Sequence, residues 1–409
     1  MEKRVNFAIE VGKKKKNNYK KCVSVPEGFK TRIAKELGEE KALSLVKAIE
    51  GTPSVSIRIN AAKCRQDTRA DLESRASGKV EWCEDGLRFI ERPEFISDPL
   101  LHSGVYYVQE AASMYYQTIL ERLLPEFDKK NLIRILDLCA APGGKTTAML
   151  NALYKSGIPY EVVANEYDKK RVSILDENIS KWGDRNVIVT NSEAAKFGLM
   201  EQMFDLIAVD APCSGEGMMR REPIARTQWS ENLVDRCASL QRQIVEDVLP
   251  ALRPNGILIY STCTFNRTEN ENNVEFFVEE LGLELLSAPR RFMPDECSCE
   301  GLFVAVLRKS PENSLQNYSG CGDLETALQK NKVRIVSVGN SGGDDCPYVN
   351  LSKEDALNYL RGLSLTLPPD TPTGLLKVGY DGYSLGMMKN IGVRANNLYP
   401  KEWRIKKRG

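Results

Sequence analysis

The stretch that decides the fold is LDLCAAPGGKTTAML, residues 136–150: an apolar strand, a glycine turn and the start of a helix. Its GGKT segment (143–146) is similar to the end of a phosphate-binding loop, in which a glycine and four further residues precede Gly-Lys-Ser/Thr. The position five residues before Gly144 is Cys139, however, so the first glycine is missing. Pro142 also removes one backbone N–H that a phosphate would need. The stretch therefore disfavours a nucleoside triphosphate site.

The composition is that of a soluble globular protein, and it excludes several classes of function. Among 409 residues, 57 are basic and 56 are acidic, which predicts two or three domains and no overall attraction to nucleic acid. No run of 18 apolar residues occurs, so no membrane span is expected. The 11 scattered cysteines and the lack of a hydrophobic signal core predict a location in the reducing cytoplasm. The single histidine, His102, rules out histidine-rich metal sites, and no metal site is expected.

Local positive charge is concentrated at the two termini. Residues 1–21 carry eight basic and two acidic side chains, and residues 401–409 carry five basic and one acidic. Such runs are compatible both with solvated tails and with contacts to nucleic acid. Both interpretations remain open for each terminus.

Strand and helix patterns alternate between residues 100 and 309. Apolar strands that alternate with amphipathic helices predict βαβ units and a mainly parallel sheet. The expected fold is α/β, a doubly wound Rossmann-like domain. The predicted strands are 132–138, 161–166, 186–190, 204–210, 256–262 and 301–309, and the predicted helices are about 145–156, 168–182 and 231–252.

Shorter segments flank this domain on both sides. Near the C-terminal end, VRIVSVG (333–339) is expected to be the first strand of a small β-rich domain. The predicted boundaries are 1–21 for a basic tail, 22–99 for a small N-terminal α/β module, 100–309 for the Rossmann-like domain, 310–330 for a polar linker and 331–409 for the C-terminal β-rich domain.

The glycine turn lies where open α/β sheets bind their ligands, at the carboxyl end of the first parallel strand. Gly143 and Gly144 let a ligand approach the backbone closely. The next three strands are followed by Glu166, Glu193 and Asp210, and an acid at the tip of the second strand can accept both hydroxyls of a ribose. This layout indicates a nucleoside cofactor, although acids also cap many strand ends where no ligand binds.

Two cysteines follow neighbouring strands of the predicted sheet. Cys213 lies in DAPCSGEGMMRR (210–221), and Cys263 lies in STCTFNRTENENNVEFF (261–277). A thiol on the ligand-binding edge of the sheet is placed for nucleophilic chemistry. Either cysteine alone is more often a buried structural residue, but two on the same edge favour a catalytic role.

Three of these segments together resemble the Nop/Sun family of RNA cytosine-C5 methyltransferases, and above all its bacterial ribosomal RNA branch. They are LDLCAAPGGKT (136–146), DAPCSGEGMMRR (210–221) and YSTCTFNRTENE (260–271). The similarity also includes YYVQEAASM (106–114) and CEGLFVAVLRK (299–309). The end of the chain, with YDGYSLGMMK and LYPKEWR, is similar to the family's C-terminal PUA-like RNA-binding domain.

The resemblance implies that the cofactor is S-adenosylmethionine. It places Glu166 on the ribose, Glu193 near the adenine and Asp210 at the junction of cofactor and base. Glu193 departs from the aspartate that is more usual at its position, so the reach of its carboxylate differs. The cofactor-binding turn implied by the resemblance comprises Cys139, Ala140, Ala141, Pro142, Gly143, Gly144 and Lys145.

The resemblance also implies separate roles for the two thiols. Cys263 would add to C6 of cytosine, which makes C5 able to attack a methyl group. Asp210 would hydrogen-bond the N3/N4 edge of the base, and Cys213 would aid product release. DNA cytosine methyltransferases carry their nucleophile in a Pro-Cys dipeptide, which here would be Pro212-Cys213. The turn at 261–263 and the flanking domains favour the RNA enzymes.

The function implied is the formation of 5-methylcytosine in the ribosomal RNA of the small subunit, by a monomeric cytoplasmic enzyme. Transfer RNA is the alternative substrate, and an RNA-binding ribosome assembly factor with a vestigial site is the alternative function. The N-terminal module is expected to bind RNA as well. Arg220, Arg221 and the basic termini are candidate phosphate contacts, and solvated surface arginines are the other possibility.

Overall fold

The computed structural model describes residues 23–311, 323–339 and 346–406. The basic tail expected at 1–21, most of the expected linker and the last three residues of the chain lie outside these ranges. In the ranges described, no helix is both long and apolar enough to cross a membrane.

The first part of the described chain contains α1 (Glu27–Leu37), α2 (Glu39–Glu50), β1 (Val55–Ile59), α3 (Gln66–Arg75), β2 (Gly78–Val80), β3 (Cys83–Phe89), α4 (Pro99–His102) and β4 (Tyr106–Val108). The four strands form an antiparallel sheet in the order β2-β3-β1-β4. This sheet therefore continues past the boundary expected at residue 99. A strand of three residues, such as β4, is too short for its alternation to be recognised in the sequence.

The helix pair α1–α2 packs against the central domain. The ring of Phe29 meets that of Trp229 edge-on, with 5.7 Å between their centroids. Both rings lie in a buried cluster with Met219, from the segment of Cys213, and Phe265, from the segment of Cys263. The expected N-terminal α/β module thus consists of a sheet and a helix pair. The helix pair α1–α2 packs on residues of both cysteine segments.

The central part contains α5 (Tyr115–Leu123), β5 (Ile133–Asp137), α6 (Gly144–Ser156), β6 (Tyr160–Asn165), α7 (Lys169–Trp182), β7 (Val187–Thr190), α8 (Ala194–Gly198), β8 (Phe204–Asp210), α9 (Pro223–Gln228), α10 (Glu231–Val248), β9 (Leu252–Thr262), α11 (Glu271–Glu279), β10 (Leu283–Leu285), β11 (Arg290–Phe292), β12 (Leu302–Lys309), α12 (Leu324–Lys330) and β13 (Ile335–Val338). The helices and strands predicted between residues 132 and 309 are all present, with ends shifted by a few residues. The largest shifts are at the end of α10 and at the start of β9, because Pro250 cannot continue the helix and a single 3-10 turn, Leu249–Ala251, leads directly into the strand.

The central sheet has the order β10-β12-β9-β8-β5-β6-β7-β13, with β11 paired to β12. The five strands β9-β8-β5-β6-β7 are parallel, and the outer strands β12 and β13 run antiparallel to them. Alternate residues of each strand point to opposite faces. One face is covered by α5, α6 and α7 and the other by α8, α10 and α11. The predicted doubly wound Rossmann-like fold is confirmed.

The segment 333–339 differs from its predicted position. It was expected to begin the C-terminal domain, but β13 pairs with β7 at the edge of the central sheet. The backbone N–H of Asn191 also donates to the carbonyl of Arg334 at 2.8 Å. An apolar strand pattern predicts that a strand forms but carries no information about which sheet it joins.

The C-terminal part contains β14 (Tyr348–Leu351), α13 (Lys353–Leu360), β15 (Gly374–Tyr380), β16 (Tyr383–Asn390) and β17 (Ala395–Asn397). These strands form a sheet in the order β14-β15-β16-β17, as the β-rich prediction requires. Asp381 and Gly382 join β15 to β16 with φ angles of 50° and 76°, which suits a tight hairpin turn. Next to this turn, the hydroxyl of Tyr383 accepts a hydrogen bond from the backbone N–H of Arg65 at 2.9 Å. The C-terminal domain is thereby docked on the N-terminal one.

Candidate active site

The glycine turn follows β5, at the point where the order of the parallel strands reverses. β6 lies on one side of β5 and β8 on the other, so a crevice opens above the carboxyl end of β5. Gly143 caps α6 with a φ of 105°, and a Cβ atom there would lie 3.3 Å from Leu175. Only glycine adopts this conformation readily. At Gly143 the backbone of the predicted turn therefore lies at the crevice with no side chain between them.

A buried arginine of the N-terminal sheet supports this turn from behind. The Arg58 guanidinium donates to Oε1 of Gln109 at 2.7 Å and to Oγ1 of Thr147 at 2.5 Å. Gln109 in turn donates to the carbonyl of Gly144 at 3.0 Å. Burial lowers the pKa of Arg58 to about 10, so the side chain is charged at neutral pH. Arg58 alternates with the apolar residues of β1, and this pattern alone would place it on an exposed face of the strand.

Glu166 follows β6 on the same edge of the sheet and is 4% exposed. Its Oε1 accepts a hydrogen bond from the backbone N–H of Asp168 at 2.8 Å. Its Oε2 accepts none from the described residues and lies 3.3 Å from Nη1 of Arg171. Burial raises the pKa of Glu166, while Arg171 opposes this. A ribose hydroxyl would supply the donor that Oε2 lacks, so the site fits a nucleoside.

Two asparagines that the sequence analysis missed join the strand tips. The amide of Asn165 donates to the carbonyls of Leu138 and Ser192, both at 3.0 Å. The amide of Asn191 donates to the carbonyl of Glu166 at 2.7 Å. These bonds fix the turns after β5, β6 and β7 relative to one another. Buried amides that complete such networks cannot be told from surface asparagines by sequence pattern alone.

Glu193 lies after β7, where it precedes the short helix α8 and is half-buried. The structure thus places it on the same edge of the sheet as Glu166 and the glycine turn.

Asp210 ends β8 and joins two elements of the site. Its Oδ2 lies 2.8 Å from Nζ of Lys145, and its Oδ1 accepts a hydrogen bond from Oγ of Ser261 at 2.7 Å. The hydroxyl of Tyr116 lies 2.8 Å from the same Ser261 oxygen. Burial alone would lower the pKa of Lys145, but the charge and hydrogen bond of Asp210 raise it overall. Lys145 is therefore a fixed positive charge that is paired with the carboxylate of Asp210.

The two cysteines meet at the tips of β8 and β9. The Sγ atoms of Cys213 and Cys263 are 3.2 Å apart, and both thiols are half-buried. The hydrogen bond with Cys263, together with burial, raises the pKa of the Cys213 thiol well above its ordinary value. The structure thus brings the two predicted cysteines together at the ligand-binding edge of the sheet.

Arg220 and Arg221 bind protein groups beside the site. Arg221 lies 3.3 Å from the buried carboxylate of Glu300 and donates to the carbonyl of Ser54 at 2.9 Å. Arg220 donates to the carbonyl of Cys299 at 3.1 Å. The same Glu300 carboxylate accepts the backbone N–H of Ser54 at 2.9 Å. Of these two candidates for phosphate contact, Arg221 thus joins the N-terminal module to the central domain, whereas Arg220 binds groups of the central domain.

Three family models match successive parts of the chain. Residues 25–111 match the N-terminal domain of 16S rRNA methyltransferase RsmF. Residues 125–308 match 16S rRNA methyltransferase RsmB/F, and residues 346–405 match the methyltransferase RsmF PUA domain. The order of these matches is the order of the three folded parts described above.

Curated relatives extend the match over nearly the whole chain. The ribosomal RNA small subunit methyltransferase F of Enterobacter sp. (strain 638) is 31% identical over 85% of this chain and 89% of the relative. The protein of the same name from Cronobacter sakazakii is 34% identical over 93% of this chain and 96% of the relative.

Solved structures agree with this relationship. A methyltransferase homolog protein from Pyrococcus horikoshii superposes with a TM-score of 0.59 at 29% identity, over 69% of this chain and 94% of that one. NSun6 from the same organism, solved with SFG, has a TM-score of 0.59 at 20% identity over 71% of this chain, and shares the fold. The resemblance found in the sequence is confirmed, and the chain belongs to the RsmB/F family of 16S rRNA methyltransferases.

Proposed function

We propose that this protein transfers a methyl group from S-adenosylmethionine to C5 of a cytosine in small-subunit ribosomal RNA. The observation that carries the proposal is the pair of thiols, 3.2 Å apart, at the tips of neighbouring strands and beside the Lys145–Asp210 ion pair. Two thiols and a fixed carboxylate at the ligand-binding edge suit a reaction in which a base is first bonded to the protein and then released.

Binding of the cofactor is assigned to the edge formed by the turns after β5, β6 and β7. The residues that would hold it are Cys139, Ala140, Ala141, Pro142, Gly143, Gly144 and Lys145 in the first turn, with Glu166 on the ribose and Glu193 near the adenine. When bound, S-adenosylmethionine supplies an electrophilic methyl group. The close backbone approach at Gly143 and the incompletely hydrogen-bonded Oε2 of Glu166 support this assignment.

Cys263 is the proposed nucleophile. Its sulfur forms a bond to C6 of the cytosine, and the electron pair of the C5–C6 double bond then takes up the methyl group at C5. A water molecule then accepts the C5 proton, the C5–H electron pair restores the C5–C6 double bond, and the sulfur–C6 bond breaks with its electron pair returning to Cys263. Asp210 is held by Lys145 and Ser261 and can hydrogen-bond the N3/N4 edge of the base. Cys213 keeps its proton near the sulfur of Cys263 and aids release.

The RNA itself is proposed to contact the N-terminal sheet and the C-terminal PUA-like domain, which flank the site. A target base must be unstacked before it reaches such a pocket. We further propose that the protein acts as a monomer in the cytoplasm, where the free thiols of the described cysteines remain reduced.

The test is a transfer assay with labelled S-adenosylmethionine and, in separate reactions, 16S rRNA, assembled small subunits and transfer RNA. Wild type should label cytosine C5 in one of the ribosomal substrates, and Cys263→Ala should label nothing. Label in transfer RNA alone would overturn the substrate assignment. A wild type that labels no RNA would contradict the enzymatic proposal.

A further inference from the structure

Two buried glutamates lie behind the cysteine pair and have no part in the chemistry proposed above. Glu216 follows Cys213 by three residues, and Glu269 follows Cys263 by six. Both glutamate residues are completely buried. Burying a carboxylate is costly unless it is hydrogen-bonded throughout, so the partners of each glutamate indicate what it holds in place.

Glu216 belongs to the segment of Cys213 but holds the segment of Cys263. Its Oε2 accepts the backbone N–H groups of Phe265 at 2.6 Å and Asn266 at 3.1 Å. The backbone N–H of Gly217 also donates to the carbonyl of Cys263 at 2.7 Å. The residues that follow Cys263 are therefore fixed by groups that follow the other cysteine.

Glu269 does the reverse. It belongs to the segment of Cys263, and its Oε2 accepts the backbone N–H of Ser214 at 2.9 Å. The same oxygen accepts Nε2 of Gln241 at 2.8 Å, and Gln241 also donates to the carbonyl of Pro212 at 2.9 Å. The backbone N–H that follows Cys213 is thus held directly by the segment of the other cysteine, and the carbonyl that precedes Cys213 is held through Gln241 of α10.

One side chain joins the two carboxylates. Nδ2 of Asn266 donates to Oε1 of Glu216 at 3.0 Å and to Oε1 of Glu269 at 2.8 Å. Oδ1 of Asn266 accepts the backbone N–H of Glu269 at 2.9 Å. The three side chains form one connected buried network, which we name the glutamate clasp: Glu216, Asn266 and Glu269.

We propose that the glutamate clasp sets the separation of the two thiols, so that Cys213 stays within reach of the sulfur of Cys263. The members of the clasp are positioning residues, because they act through the backbone on either side of the cysteines. The catalytic consequence rests on the proposed function, but the effect on the thiol separation does not. Reciprocal bracing also explains why two carboxylates are buried in one network.

The thiol separation is measured by disulfide formation in the full-length protein. Diamide takes one hydrogen from each of two thiols and becomes the hydrazine, while the sulfur atoms join. Linked peptides are quantified by mass spectrometry against time for wild type, Glu269→Ala and Glu269→Gln. Cys297 and Cys299, whose sulfur atoms are 2.9 Å apart in a different loop, give a reference rate within every sample.

Loss of a buried charged acceptor weakens the positioning of its donors. We expect Glu269→Ala to slow the Cys213–Cys263 disulfide roughly tenfold while the reference pair is unaffected. Glu269→Gln keeps an acceptor for the backbone N–H of Ser214 and should slow disulfide formation less.

The matched control is Glu279→Gln, which changes an exposed glutamate and should form the Cys213–Cys263 disulfide at the wild-type rate. If Glu269→Ala does not fold, Asn266→Ser is used instead, because it removes the side-chain amide that joins the two carboxylates. An unchanged Cys213–Cys263 rate in the folded variant would overturn the proposal.

A second measurement separates the clasp from the proposed function. With 16S rRNA and S-adenosylmethionine, Glu269→Ala should accumulate a covalent protein–RNA complex, as Cys213→Ala should, while its affinity for the cofactor stays that of wild type. A complex in Cys213→Ala but none in Glu269→Ala would count against the clasp. A slowed disulfide with no complex in any variant, Cys213→Ala included, would contradict the proposed function and leave the clasp supported.

Discussion

Lys145 and Asp210 form an ion pair of 2.8 Å between the helix after the first parallel strand and the tip of its neighbour. The pair connects the end of the glycine turn to the tip of β8, and Cys213 follows this tip by three residues. A lysine in a GGKT turn suggests a phosphate ligand when the sequence is considered alone. In the structure its ammonium group is paired with the carboxylate of Asp210 at the tip of the neighbouring strand.

The first prediction concerns this ion pair. Lys145→Met should lower kcat/KM by about a hundredfold, because Asp210 loses the charge that holds it. It should also lower the free energy of unfolding by roughly 2 kcal/mol, since a partly buried carboxylate is left unpaired. Lys145→Met combined with Asp210→Asn should regain most of the stability and none of the activity. Urea unfolding and the transfer assay measure the two quantities. Equal stability of the single and double variants would mean that the pair is not coupled.

The second prediction concerns the support behind the glycine turn. Arg58→Met removes the donors to Gln109 and Thr147 and should weaken S-adenosylmethionine binding about tenfold, because Gly144 loses its brace. Calorimetric titration without RNA measures this directly. Arg75→Met is the control, since Arg75 lies in the same domain with its side chain half exposed. If folded Arg58→Met binds the cofactor as tightly as wild type, Arg58 stabilises the domain interface but does not support the glycine turn.

The third prediction concerns the single histidine. Burial lowers the pKa of His102 from 6.5 to about 4, although a hydrogen bond to the carbonyl of Ile96 opposes this. A group whose pKa is lower in the folded state stabilises the fold above its unfolded pKa. About 3 kcal/mol should therefore be present above pH 6.5 and lost as the pH falls towards 4. One histidine resonance followed by NMR should titrate near 4 in the folded protein and near 6.5 in urea. Titration near 6.5 in both states would be contrary to the predicted burial.

The fourth prediction concerns the ionisation of the clasp. Burial and the nearby charge of Glu216 raise the pKa of Glu269 from 4.5 to about 7. A raised pKa means that the stability due to this group is complete below pH 4.5 and is lost as the pH rises through 7. Glu269→Gln cannot ionise, so its free energy of unfolding relative to that of wild type should rise by about 2 to 3 kcal/mol between pH 5 and pH 8. Unfolding midpoints at both pH values test this, with Glu279→Gln as the control. If the difference in stability between Glu269→Gln and wild type is the same at both pH values, the pKa of Glu269 is not raised into this range.

The parts of the fold that depend on local pattern were predictable from the sequence. Apolar strands such as 204–210 are buried on both faces, so their composition alone identifies them. Cys213 and Cys263 could be placed together because both follow strands of one parallel sheet. The order of those strands follows from the doubly wound topology.

The parts that depend on distant packing were not predictable. Residues 335–338 join the central sheet and not the C-terminal one, and Arg58 is buried. Contacts with residues far away in the chain determine both features. Arg220 and Arg221 look like surface charges until Glu300 is placed beside them. The clasp was missed for the same reason, because a glutamate in a polar segment gives no sign that it is buried.

The central claim is that Cys263 attacks the base and Cys213 releases it. The trap is an RNA substrate with 5-fluorocytosine at the target position. Fluorine at C5 cannot leave as a proton does, so the bond between C6 and the attacking sulfur cannot be broken by elimination. Digestion and mass spectrometry of the trapped complex identify the bonded cysteine. We predict that the modified nucleotide is attached to Cys263 in wild type and in Cys213→Ala, and that Cys263→Ala gives no complex. Attachment to Cys213 would contradict this account.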